Sequence, residues 1–138
     1  MLTRRSGILV LLTIAFLPTV AATAEPPAVP DLSGRWSGTW CDSKSGHHGP
    51  LHATICRIDD CHYLASFTGR FWKVVPFHYA IELNVVGVEN GRVLLAGSKR
   101  MLGSGQFEMN GSAGDCDFTA TFCSKRYTGQ FDLTRSGR

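Results

Sequence analysis

From Leu32 to Arg135 apolar and polar residues alternate with a period of two, and no stretch keeps the 3.6-residue period of an amphipathic helix. Trp36 and Trp40 share a face with Gly34 and Gly38. Leu51, Ala53 and Ile55 share a second, Tyr63, Ala65, Phe67 and Phe71 a third, and Phe77, Tyr79, Ile81 and Leu83 a fourth. Phe107 with Met109, then Phe118, Ala120 and Phe122, then Tyr127, Phe131 and Leu133 complete the apolar set. The opposite faces carry Ser37, Thr39, Thr54, Ser66, Thr68, Glu82, Gln106, Thr119 and Gln130. The pattern predicts eight strands, at about 32–41, 50–57, 61–71, 77–86, 92–98, 104–111, 116–123 and 126–135; only the fifth lacks a polar face. The short, turn-rich connectors between them, such as "GVENG" and "SAGD", favour antiparallel neighbours and hence a meander. A single sheet with one wet side buries its other side and loses its edges by closing on itself. The expected fold is therefore all-β, a single antiparallel up-and-down β-barrel of about eight strands, with an ordinary sandwich as the alternative.

One motif supports closure. "WSGTW" at 36–40 returns as "FTGRF" at 67–71 and "YTGQF" at 127–131. In each, the glycine shares a face with the flanking rings. A missing side chain there lets the strand coil and leaves room for rings from across a barrel.

The first 24 residues read as a signal peptide. Arg4 and Arg5 form a basic start, Gly7 to Leu17 an apolar run, and Ala22-Thr23-Ala24 a small-x-small cleavage site. The expectation is a secreted or periplasmic protein cleaved near Ala24, with no membrane span. A Pro-rich leader occupies 25–31 and the barrel domain 32–135. Cleavage leaves 114 residues and lowers the formal charge from +3 to +1. Such a chain is long enough for one cored domain and too neutral for a general polyanion binder.

Gly34-Arg35-Trp36 on the first strand resembles the Gly-x-Trp signature of the calycins, the lipocalin and avidin group of up-and-down barrels. Arg135, in the closing "FDLTR", stands where that group places a basic residue across the Trp at the closed end. Small secreted bacterial metalloprotease inhibitors are similar barrels. The resemblance implies an open mouth at the end away from Gly34, Trp36 and Arg135. It does not extend to biotin: avidins carry polar biotin ligands where this chain has Ser37, Gly38, Thr39 and Trp40, and no Trp follows Trp72.

Chemistry-bearing residues concentrate in "CDSKSGHHGPLHATICRIDDCH". His52 and Cys56 would face the same way but lie about 13 Å apart along a strand, too far to share a metal. His47 and His48 would be the core of any metal site, yet the expectation is none. Cysteines in an exported domain usually pair. Cys41 and Cys123 sort to one barrel end, and Cys56, Cys61 and Cys116 to the other. The expected bonds are Cys41–Cys123 and one among the remaining three, with Cys56–Cys61 favoured and one thiol left over. No Gly-x-Ser-x-Gly, His-Glu-x-x-His or phosphate loop is written here. Neither an enzyme nor a cofactor is expected, and no basic aromatic platform points to nucleic acid.

Sorting the loops by barrel end separates the charges. The end reached by the first strand holds Lys44, His47, His48, Arg70, Lys73, Lys99, Arg100, Lys125 and Arg126, against Asp42 alone. The other end holds Asp59, Asp60, Glu89, Asp115 and Asp117, offset by Arg57 and Arg92. The expected function is a non-enzymatic binding barrel that accepts a small anionic or amphipathic ligand at this basic mouth. The alternative is a packed-core interaction protein, a protease inhibitor or envelope component, with a protein partner and no small ligand.

Overall fold

The alternating runs form eight strands, β1 (Gly34–Asp42), β2 (His48–Arg57), β3 (His62–Phe71), β4 (Val75–Glu89), β5 (Arg92–Met101), β6 (Gly105–Ala113), β7 (Asp117–Cys123) and β8 (Thr128–Gly137). The structure, a computed structural model, describes residues 18–19, 21–23, 28–71, 74–103 and 105–138. The expected signal peptide at 1–24 thus lies largely outside the described residues, as do the first three residues of the 25–31 leader and Trp72 and Lys73. Each strand pairs antiparallel with its neighbour in sequence, and β8 returns to β1 to close the barrel. Among the described residues no helix is long and apolar enough to cross a membrane.

Strand ends differ from the sequence reading by a few residues, most clearly at β4 and β5. The segment expected as a "GVENG" loop is a hairpin whose turn is Asn90-Gly91 alone, both with positive φ, 52° and 75°. That is the two-residue turn whose twist matches paired strands. A register shift between Val85 and Gly87 leaves Val86 as an extra, exposed residue. Tertiary pairing also settles the fifth strand: Val93, Leu95 and Gly97 face inward.

The inward set is otherwise as the alternation predicts. Trp36, Phe67, Phe118, Phe131, Leu51, Ile55, Ile81, Leu83 and Leu133 are all buried. Tyr127 departs from it. Expected on the last strand, it precedes β8 and is 38% exposed, its ring 5.8 Å from that of Phe71. The glycines of the repeated motif sit at close approaches. A Cβ on Gly38 would lie 1.9 Å from the carbonyl oxygen of Asp132, and one on Gly129 1.9 Å from that of Cys41. Both are on the β1–β8 seam, so these two glycines let the closing strands meet.

The end at Gly34 is closed. Leu32 is fully buried beneath β1, and its carbonyl accepts a hydrogen bond from Trp36 Nε1 at 2.9 Å. Arg135 lies across Trp36 in register, with its guanidinium carbon 4.4 Å from the ring centroid. The same guanidinium donates to the carbonyls of Asp31 (2.7 Å), Ser33 (2.6 Å) and Asp115 (2.7 Å). Gly34 has φ of 132°, and a Cβ there would meet the carbonyl of Gly137 at 2.5 Å. The Gly34, Trp36 and Arg135 constellation is thus a plug that ties the incoming chain to the last strand.

The expected disulfides are absent: Cys41, Cys56, Cys61, Cys116 and Cys123 are all free and exposed. Register gives the reason. Cys41 pairs with Gln130 and Cys123 with Thr128, so β8 lies between them. Two strand spacings are about 9.5 Å, beyond the roughly 7 Å that a disulfide spans between Cα atoms. Cys56 pairs with Leu64, which leaves Cys61 three residues away along the hairpin, at about 10 Å.

Candidate binding mouth

The barrel is filled below Trp40 and hollow above it. In the lower half the rings interlock: Trp36 with Phe118 at 6.1 Å, Phe118 with Phe131 at 5.5 Å, and Phe131 with Phe67 at 5.3 Å. Higher up, the rings line the walls. Trp40, Phe71 and Phe77 cluster on one side, with Trp40–Phe71 at 4.9 Å and Phe71–Phe77 at 4.8 Å. Tyr79, Phe107 and Phe122 form the facing wall, at 5.5 and 5.9 Å. Between them is a cavity of about 150 Å³. Met101, Ser124 and Tyr127 stand at its rim, so it opens toward the loops at the end of β1. Gly69 lets the Phe77 ring lie close against β3, since a Cβ there would collide with it.

Polar residues also line this apolar space, among them Asp42, Ser124, Tyr79 and Trp40. Asp42 is buried at the rim. Burial pushes its carboxyl up, but the Ser45 hydroxyl and the backbone N–H groups of Thr128, Lys44 and Ser45 more than offset that, holding it below the ordinary carboxylate range. Ser124 is buried as well, its hydroxyl shared between the N–H and the carbonyl of Tyr127. Burial pushes the Tyr79 phenol far above its usual value, so it stays a neutral hydroxyl at physiological pH. The indole N–H of Trp40 is buried with no acceptor among the described residues. A buried donor without a partner costs about 1–3 kcal/mol.

The basic residues expected at the mouth are on its surrounding segments. Lys44, His47 and His48 belong to the β1–β2 connection and the start of β2, Arg70 to the end of β3, Lys99 and Arg100 to the end of β5, and Lys125 and Arg126 to the β7–β8 turn. Lys73 falls outside the described residues. They are not equivalent. Lys99 Nζ donates to the carbonyl of Ala80 at 2.6 Å, along the wall. His48 Nδ1 lies 3.3 Å from the Gly46 carbonyl, within its own loop. Lys44, Arg70, Arg100, Lys125 and Arg126 are exposed and make no ion pair among the described residues.

The opposite end is less acidic than a count of its carboxylates. Asp60 pairs with Arg57 at 2.8 Å, Asp59 with His62 at 2.7 Å and Asp117 with Arg92 at 2.6 Å. The charge asymmetry therefore resides mainly in those five exposed bases of the mouth. Sequence reasoning put these bases at one end but did not find the cavity. Phe71, Phe77, Tyr79, Phe107 and Phe122 were legible as inward-facing, yet alternation cannot say whether facing rings touch or stand apart. Nor did any signal mark Asp42 as buried, since loop carboxylates are mostly solvated.

No protein-family model and no curated protein matches the chain. Among solved structures it is similar to a redesigned β-barrel, mFAP1, bound to DFHBI, with a TM-score of 0.57 at 12% identity over 75% of this chain and 94% of that one. It is also similar to a de novo designed fluorescence-activating β-barrel, with a TM-score of 0.54 at 13% identity over 80% of this chain and 98% of that one. At such identities the likeness is one of fold: a small, closed, antiparallel eight-strand barrel.

Proposed function

We propose that this protein is an exported, non-enzymatic, calycin-like barrel that binds a small amphipathic anion at its open end. The observation that carries the reading is an aromatic cavity opening among exposed bases that make no ion pair with the described residues. Cavity size limits the ligand. An apolar cavity of about 150 Å³ holds one benzene-sized group, so the buried part is a single ring or a short acyl end. Asp42 repels a charge carried deep, and the anionic head therefore stays among Arg100, Lys125 and Arg126. The two polar groups best placed for chemistry, Asp42 and Ser124, are engaged by their own loops, which fits a structural role rather than catalysis. Neighbouring barrels of this fold are described as bound to DFHBI or as fluorescence-activating, which is consistent with small-molecule binding. Export rests on Arg4, Arg5, the apolar run and Ala22-Thr23-Ala24. The calycin likeness rests on Trp36 beneath Arg135.

Calorimetry with benzoate, octanoate and toluene tests the binding reading. The two anions should bind more tightly than toluene and weaken with salt. Met101→Trp, which narrows the mouth, should abolish all binding without lowering Tm. Equal binding by wild type and Met101→Trp would place the ligand elsewhere, and no binding of any probe would overturn the reading. N-terminal sequencing of the protein from its producing cell should begin near Glu25.

A further inference from the structure

The rim of the mouth is apolar as well as basic. Leu102, at the tip of the β5–β6 turn, is fully exposed, and Val74, on the β3–β4 connection, and Val75, at the start of β4, are 76% and 55% exposed. Tyr127 on the β7–β8 turn adds a half-exposed ring. Three separate connections thus each lift an apolar side chain at the same end, beside Arg70, Arg100, Lys125 and Arg126. Among the described residues the carboxylate beside the connections of that end, Asp42 at the close of β1, is buried and turned to the β1–β2 loop.

Isolated exposed apolar residues need no explanation, and the far end has its own in Ile58, Val86 and Val88. The difference lies in the charge beside them. Around Ile58 and Val88 the charges offset one another: Asp60 is paired with Arg57 and Asp59 with His62, and Glu89 adds a carboxylate, so this end offers an anionic surface no net attraction. Around Leu102 and Val74 stand Arg70, Arg100, Lys125 and Arg126. Apolar tips that can enter the acyl boundary, set within bases that meet anionic headgroups, form the two-part signature of peripheral membrane binding.

We propose that the open end of the barrel docks on the surface of an anionic phospholipid bilayer, with Leu102, Val74 and Val75 inserted and Arg100, Lys125 and Arg126 against the headgroups. Docked this way, the cavity faces the membrane. The surface does not depend on what the cavity holds.

Vesicle sedimentation tests this, using the chain from residue 28 onward, so that the apolar run at 7–17 does not contribute. That chain keeps all eight strands and the whole described core from Leu32 to Leu133. Wild type should bind vesicles of about 30% phosphatidylglycerol in phosphatidylcholine at least ten-fold more tightly than pure phosphatidylcholine, less so in high salt. The Arg100→Glu, Lys125→Glu, Arg126→Glu variant should lose at least about ten-fold. The neutral Val74→Gln, Leu102→Gln variant should lose several-fold, and Ile58→Gln, Val86→Gln nothing. No preference for anionic vesicles would overturn the proposal. So would retained binding by Val74→Gln, Leu102→Gln, or equal loss at the far end. Met101→Trp separates the two readings: it should block benzoate yet leave vesicle binding intact.

Discussion

The guanidinium of Arg135 lies 4.4 Å over the ring of Trp36, while its three nitrogens hold the carbonyls of Asp31, Ser33 and Asp115. One side chain thus joins the incoming chain, the first strand and the β6–β7 turn. Trp36→Ala should cost about 3–5 kcal/mol in urea unfolding. Arg135→Ala should cost about 2 kcal/mol, and the double variant less than the sum, because each single change already breaks the stack. Additive losses would mean that the two residues act separately.

The β1–β8 seam predicts a sharp contrast between glycines. Gly129→Ala would drive a Cβ to 1.9 Å from the Cys41 carbonyl, and the strands would have to part. Thermal unfolding should report a loss of about 2 kcal/mol or more. Gly87→Ala meets nothing closer than Leu94 Cδ1 at 3.7 Å and should be near neutral. Similar Tm values for the two variants would remove the close approach as the reason for glycine.

Asp42 makes the mouth sensitive to acid. Its hydrogen bonds hold the folded carboxyl below the ordinary carboxylate range. Its contribution is therefore fully present above the unfolded value, about pH 4, and is lost as pH falls through the folded one. Wild-type Tm should fall between about pH 4 and pH 2 more steeply than that of Asp42→Asn, and the backbone N–H groups of Ser45, in the β1–β2 loop, and Thr128, at the start of β8, should gain hydrogen exchange. Parallel pH profiles would show that Asp42 does not anchor the mouth.

All five cysteines are exposed and unpaired. Native, reduced protein should titrate five thiols with Ellman's reagent, and denaturant should add none. A lower native count, restored by denaturant, would show that at least one of the five thiols is covered in the folded barrel.

Period-two alternation determined the strand number and the buried face. Closure, which the glycines Gly38, Gly69 and Gly129 only made the expected outcome over a sandwich, was decided by the pairing of β8 with β1. The first two follow from the sequence because they are local: side chains of a strand alternate whatever it pairs with. The same holds for the bases of the mouth, since a meander sends successive turns to alternate ends. Only tertiary structure decided which facing groups meet. Trp36, Phe118 and Phe131 interlock, whereas the cavity separates the wall of Trp40 and Phe71 from that of Phe107 and Phe122. Register kept Cys41 from Cys123, although both sit at one end. Distances across a barrel are set by pairing between strands far apart in the chain, and no run of residues carries that information by itself.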